Sequence, residues 1–139
     1  MRKTLLKNKG QTIVEISLIL PLLVVLVGAA VDWGLAFFVS HVVQNAVREG
    51  ARVAVTKSSM TKASIQNVVK DRIPQTPLFA DFRDSAAITV TCTGTPPFIT
   101  VQTTGSFNYM FLRLIGFTNS TITRSAKMRP EIETCPSIT

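Results

Sequence analysis

The sequence predicts an α+β protein, with a long N-terminal transmembrane-to-amphipathic helix, then a short helix and a small three-stranded antiparallel sheet. Three observations lead to this prediction. Residues 16–31 are an uncharged, mostly aliphatic run; apolar residues then recur every three or four positions from Val39 to Ala54; and apolar and polar residues alternate in the C-terminal half. The first two patterns are typical of a helix, and alternation is typical of a half-buried strand.

The apolar run is long enough to cross a membrane. As a helix, residues 16–31 extend about 24 Å, and about 36 Å if Asp32 is accommodated and the run continues to Val39. The hydrocarbon core of a bilayer is about 30 Å thick. We therefore expect one helix from about Thr12 to Val55, apolar in its first half and amphipathic in its second. Pro21 lies inside it and predicts a kink or a loosened turn.

The positive charge of the chain is concentrated at its start. The net charge is +7, and four cationic residues precede the apolar run, namely Arg2, Lys3, Lys7 and Lys9. Positive charge before a first span keeps that end in the cytoplasm. This pattern predicts a single-pass membrane protein with its N-terminus in the cytoplasm and its C-terminal domain outside. The basic cluster is thus explained by topology, and no nucleic-acid partner is expected.

The remaining elements follow from shorter patterns. Apolar residues at helical spacing predict a second helix that ends before Pro74, and residues 74–86 are expected to be loop. Alternation predicts strands over 88–92, 99–109 and 121–128. The second of these strands is expected to pass a bulge at Gly105, and Arg124 interrupts the apolar face of the third. Residues 111–117 form an apolar connection between the last two strands.

The N-terminal end of the apolar run has the most specific sequence pattern. A basic leader ends at Gly10, Gln11 follows, and Glu15 is the one acid at the start of the run. The sequence G-Q-T-I-V-E resembles the processing site of type IV prepilins and pseudopilins. That resemblance implies that a membrane aspartic peptidase cuts between Gly10 and Gln11. It also implies that Glu15, the fifth residue of the mature chain, acts in the assembly of subunits.

A longer resemblance covers about residues 10–54. The run is similar to the N-terminal half of the TadE-like family, the minor pilins or pseudopilins of the tight-adherence, Flp-type pilus system. The shared features are the Gly10–Glu15 spacing, Pro21, the V-D-W-G sequence at residues 31–34 and Q-N-A-V-R-E-G-A-R at residues 44–52. This resemblance implies a pilin-like structural or assembly subunit, located in the bacterial cytoplasmic membrane or in an extracellular pilus. Its partners would be the prepilin peptidase, membrane lipid, other pilin subunits and the pilus assembly machinery.

These features divide the chain into three predicted parts. Residues 1–10 are the leader, 11–56 the transmembrane and amphipathic helix, and 57–139 a small extracytoplasmic domain. Within the helix, small residues predict close packing against another helix, with Ala30 and Gly34 as a small-xxx-small pair and Gly28 on the same face as Asp32. Asp32 has two interpretations: it marks with Trp33 where lipid ends, or it makes a buried polar contact to another subunit.

The two cysteines, Cys92 and Cys135, lie on the C-terminal side of the apolar run. If that side is outside the cytoplasm, a disulfide between them is expected, and two reduced, partly buried thiols are the alternative. Their separation of 42 intervening positions, with no histidine nearby, does not suit a metal site. We expect no cofactor or metal.

Two further function classes remain as alternatives. One is an extracytoplasmic binding domain that signal peptidase releases near Gly28-Ala29-Ala30. The other is a permanently anchored binding or adaptor domain. An enzyme is not expected, because the sequence contains no phosphate loop, nucleophile elbow, paired catalytic carboxylates or metal-ligand cluster.

Overall fold

The computed structural model describes residues 7–56 and 61–130, and side chains from Gly10 onward. The elements run in the order α1 (Lys7–Thr56), α2 (Lys62–Arg72), α3 (Pro77–Ser85), β1 (Ala87–Thr93), β2 (Phe98–Asn108), a 3-10 helix (Leu112–Ile115) and β3 (Asn119–Met128). The predicted class, α+β with a long N-terminal helix and a three-stranded antiparallel sheet, is confirmed. Most of the basic leader lies outside the described residues.

The predicted helix from about Thr12 to Val55 is also confirmed, since α1 continues without interruption through Pro21. Its second half is amphipathic as expected. Apolar residues at the predicted spacing are buried there, namely Val39, Val43, Ala46, Val47, Ala51 and Ala54. One polar residue of that half, Ser40, is also buried.

One element was wrongly predicted. Residues 74–86 were expected to be loop, whereas they include α3. Pro77 is the first residue of this helix, where a missing N–H costs no hydrogen bond and the fixed φ of proline suits the helix. Phe79 and Phe82, three positions apart, place one face of the helix in the core, and both are buried. Proline thus begins a helix where it was interpreted as a loop residue.

The sheet has the order β1-β2-β3 and is antiparallel throughout. Val101 at its centre pairs with Val90 on one side and Ala126 on the other, and all three are buried. The bulge expected at Gly105 is absent, because pairing with β3 continues in register through Gly105↔Ile122. The reason for glycine is steric: a Cβ there would lie 2.7 Å from a ring carbon of Phe82.

The contacts between residues divide the chain into two compact units. One unit contains α1 up to Gly34 together with Tyr109–Thr118, and the other contains Leu35–Asn108 and the chain from Asn119. The core of the second unit is formed by α1, α2, α3 and one face of the sheet, with Ile65, Val69, Phe82, Ile99 and Phe107 among its buried residues. The predicted division at residues 10 and 56 refers to processing and topology, and it stays a prediction.

Candidate functional site

The first unit contains most of the residues that the sequence singles out. It includes the first part of the helix Gly10–Thr56, which is the one helix among the described residues that is long and apolar enough to cross a membrane. Only 6% of its most apolar 18-residue stretch is buried, which separates it from the core helix of a soluble protein. Large apolar side chains are exposed along it, including Ile13, Ile16, Leu18, Leu22, Leu23, Leu26 and Val27. So large an exposed apolar surface is typical of a region that lipid or another protein covers.

The N-terminal end of this apolar run is exposed. Gly10, Gln11 and Glu15 are all exposed. A Cβ built at Gly10 would meet no atom of the described residues within 4 Å. Glycine in a helix is also less favourable than alanine by roughly 0.5–1 kcal/mol.

At the other end of the apolar run, Asp32 is fully buried. Its Oδ1 accepts a hydrogen bond from the backbone N–H of Met110 at 3.0 Å. Its Oδ2 accepts two more, from the N–H groups of Phe111 at 2.8 Å and Leu112 at 2.7 Å. These donors lie at the start of the 3-10 helix, where backbone N–H groups have no partner within the helix. One buried side chain thus supplies acceptors for three backbone N–H groups.

The segment that Asp32 holds is a closed loop, which we call the 109–118 loop. Its ends are joined by a hydrogen bond from the N–H of Tyr109 to the carbonyl of Thr118 at 3.0 Å. Gly116 ends the 3-10 helix in the left-handed region, with φ of 98°, where glycine is favoured. The N–H of the next residue, Phe117, donates to the carbonyl of Leu112 at 3.1 Å. The backbone of the loop is therefore held from within as well as by Asp32.

Gly28 has a steric role in the same place. It lies one helical turn before Asp32, and a Cβ there would lie 2.6 Å from the Cβ of Phe111 and 2.7 Å from its Cγ. Only glycine allows this side chain to lie against the helix. A segment of the same chain thus covers two of the four residues proposed for packing against another helix. The other two, Ala30 and Gly34, are exposed, and packing of another subunit on them stays a prediction.

Sequence reasoning missed the partner of Asp32. The signal available was a lone acid inside an apolar stretch, together with the apolar connection at residues 111–117. Nothing in either segment pairs them, since 77 residues lie between Asp32 and Met110. The contact is visible only in the tertiary structure, as three hydrogen bonds from backbone N–H groups to Asp32.

The second unit contains a smaller polar cluster. Arg124, the residue that interrupts the apolar face of β3, donates from Nε to Oγ of the buried Ser40 at 2.7 Å, and a terminal nitrogen of its guanidinium also bonds this oxygen. The hydroxyl of Thr103, opposite Arg124 in the sheet, is buried without a hydrogen-bond partner among the described residues. A buried donor left unsatisfied destabilises the fold by about 1–3 kcal/mol.

The charged residues on the exposed side of α1 form a salt bridge. Glu49 accepts two hydrogen bonds from Arg52 at 3.0 and 2.9 Å, and Arg72 of α2 lies 3.4 Å away. The hydrogen bond from Arg52 is the main cause that lowers the pKa of the Glu49 carboxyl, and the charge of both arginines adds to it. The same contact raises the pKa of Arg52.

Two of the predicted features concern metal or sulfur chemistry. Across residues 7–56 and 61–130, no group of three His, Cys, Asp or Glu residues could hold a metal ion. Cys92 lies on β1 and is half-buried, whereas Cys135 falls outside the described residues. The disulfide between them therefore stays a prediction.

The comparison with known families gives one match. Residues 10–52 match the family model described as TadE-like protein. The match covers about a third of the chain and includes Gly10, Glu15 and Asp32. It confirms the predicted resemblance to the TadE-like family, whereas the processing site after Gly10 stays a prediction. Comparisons with curated proteins and with solved structures give no match.

Proposed function

We propose that this TadE-like chain is a minor-pilin or pseudopilin-like subunit of a tight-adherence, Flp-type pilus, with a structural or assembly role. A prepilin peptidase cuts it after Gly10, and the first half of α1 anchors it in the membrane. The observation that supports this function best is the pair Gly10 and Glu15 at the start of an exposed apolar helix, inside the residues that match the family.

The exposure of Gly10 supports the processing step. A peptidase at the membrane surface needs an accessible peptide bond, and Gly10 is exposed, with no described atom within 4 Å of a Cβ built on it. Its bond to Gln11 lies within α1, so cleavage requires the first turns of the helix to unwind. Glycine lowers the cost of that step, and the absence of a side chain suits a narrow active site.

Glu15 supports the assembly step. A carboxylate at the centre of a bilayer costs on the order of 2.5–3.5 kcal/mol on insertion scales, and less near the edge. Among the described residues, no cation lies within salt-bridge distance of Glu15. The new amino terminus of Gln11 on a neighbouring subunit offsets this cost. The pair would set the register of one subunit against the next.

The localisation follows from the same arrangement. The basic leader faces the cytoplasm, and the unit with the sheet lies outside, first at the membrane and then within or beside an extracellular pilus. Membrane lipid, the peptidase, other pilin subunits and the assembly machinery are the partners.

Intact mass of the membrane-extracted protein, with and without a co-expressed prepilin peptidase, tests the processing step. We expect a mature chain that starts at Gln11 and appears only with the peptidase. A start near Val31 would instead identify a signal-peptidase product, and a retained Met1 in the presence of the peptidase would identify a permanent anchor. Either result would contradict the proposed processing.

A Glu15→Ala variant tests the assembly role separately, with Glu15→Asp as the control that keeps the charge. We expect Glu15→Ala to be processed but not recovered with sheared pili or with the assembly complex, and Glu15→Asp to be recovered in part. Equal recovery of Glu15→Ala and wild type would exclude the registration role.

A further inference from the structure

The 109–118 loop exposes an unusual number of large apolar side chains for its length. The exposed fractions are 69% for Met110, 77% for Leu114, 48% for Ile115 and 62% for Phe117. Large apolar residues on the surface of an extracytoplasmic domain are unfavourable in water unless something covers them. The three hydrogen bonds that Asp32 accepts, and those within the loop, hold the backbone in the conformation that exposes these side chains.

The loop lies beside the apolar half of α1, and its contacts show which residues of the helix it lies next to. Phe111 packs on Gly28, which is four residues before Asp32, or about 6 Å further into the apolar run. Beneath Phe111 is a cleft lined only by apolar residues, namely Leu23, Val24, Val27, Gly28 and Val31 of the helix, with Phe111 itself. The apolar surface of the helix therefore continues without a polar break onto the loop.

Two side chains suit the boundary of a bilayer at this level. Trp33 follows Asp32 and is 55% exposed, and tryptophan is enriched where lipid meets water. Arg113 is exposed within the loop, and it is the one charged residue of residues 110–117. Its long side chain can reach the phosphate layer while its neighbours remain in the acyl region.

From this continuity we propose that residues 110–117 form a membrane-inserted loop. The loop enters the leaflet nearest Asp32 alongside α1, its apolar side chains lie among acyl chains, and Arg113 contacts a lipid phosphate. Asp32 is the residue that positions it, because it satisfies three N–H groups that would otherwise face the acyl region without partners. The loop adds a second attachment to the membrane, which a single helix does not provide. This inference depends on the membrane anchoring in the proposed function, and not on cleavage at Gly10.

The test places one tryptophan at a time in the full chain, with Trp33→Phe as the background, in liposomes of phosphatidylcholine and phosphatidylglycerol. The reporters are Leu114→Trp in the loop, Val27→Trp in the apolar run and Asn67→Trp on the exposed side of α2. Fluorescence quenching by lipids brominated on the acyl chain is compared with quenching by aqueous acrylamide.

We expect Leu114→Trp to follow Val27→Trp, with blue-shifted emission and strong quenching by brominated lipid, while Asn67→Trp is quenched by acrylamide. If Val27→Trp is quenched by lipid but Leu114→Trp behaves like Asn67→Trp, the loop is in water and the proposal is wrong although the anchor holds. If Leu114→Trp is shielded from both quenchers, another protein subunit covers the loop and the proposal is again wrong. If Val27→Trp is not quenched by lipid, the anchoring itself fails.

A second variant tests the role of Asp32. Asp32→Ala combined with Leu114→Trp should lose most of the lipid quenching at residue 114, whereas the same change combined with Val27→Trp should leave quenching at residue 27 intact. Unchanged quenching at residue 114 would show that Asp32 does not position the loop. The Val27 reporter distinguishes release of the loop from loss of membrane insertion.

Discussion

Gly10→Ala gives the most direct test of the processing site at the N-terminal end of the helix, because the described residues supply no steric reason for this variant to be harmful. The added Cβ would meet no atom of the described residues within 4 Å. Gly10 lies inside α1, so alanine should strengthen the helix by about 0.8–1.0 kcal/mol. A variant that is more helical and yet processed poorly would therefore show a requirement imposed by the peptidase.

Two effects contribute to the expected decrease in the cleavage rate of Gly10→Ala. If the peptidase acts on the unwound chain, the gain in helix stability alone slows cleavage about four- to fivefold. A methyl group forced into a closely packed active site adds a cost of about 1–3 kcal/mol, a further five- to 150-fold. We therefore expect Gly10→Ala to be cleaved at least about twentyfold more slowly than wild type.

The assay is the rate of appearance of the Gln11 product by intact mass, with peptidase and substrate in detergent. Two controls separate the contributions. Asn8→Ala strengthens the helix near the cut without adding a side chain at residue 10, and should slow cleavage by no more than about threefold. Gly34→Ala makes the same chemical change in the same helix, also with no atom within 4 Å, and should leave the rate unchanged.

Cleavage of Gly10→Ala at the wild-type rate would refute the processing site. A rate reduced only as much as that of Asn8→Ala would refute the steric part, because helix unwinding would then explain the whole effect. Slow cleavage of Gly34→Ala would show that the assay responds to general helix stability.

Three further predictions concern the unit with the sheet, and each is checked by thermal or chemical unfolding in detergent. Thr103→Val should raise the free energy of unfolding by about 1 kcal/mol, because valine has a similar shape and removes the buried unpaired hydroxyl; a loss of stability would indicate that this hydroxyl has a partner. Gly105→Ala should lower it by about 1–3 kcal/mol by overpacking against Phe82, and should lower it less in a Phe82→Leu background than in wild type; a neutral Gly105→Ala would refute the steric account. Because the salt bridge lowers the pKa of Glu49 below its ordinary value of 4.5, its contribution is present above that pH and is lost as the pH falls through the folded-state pKa. Glu49→Gln should therefore be less stable than wild type at neutral pH and equal to it in acid, and a difference that persists in acid would contradict this assignment.

The local patterns of the sequence determined most of the fold. Uninterrupted apolar residues followed by helical spacing predicted α1 to within a few residues at its described ends, and alternation predicted all three strands. These features depend on neighbours in sequence, because helix and strand periodicity reflect which side of an element faces the core. The Gly10–Glu15 spacing and the family resemblance are also local, so the order of the residues alone was enough to find them.

Tertiary contacts decided the rest. Gly28 contacts Phe111, and Gly105 contacts Phe82. Asp32 is bonded by the 109–118 loop. Each of these partners is far away in sequence, so no local pattern identifies it. The sequence predicts a bulge at Gly105, because a glycine in a strand pattern does not by itself indicate which neighbouring atoms require the absence of a side chain. The structure shows which atoms occupy its place. Asp32 is the clearest case, since an acid in an apolar run has no partner in its own helix, and only the return of the chain supplies the three N–H groups whose hydrogen bonds it accepts.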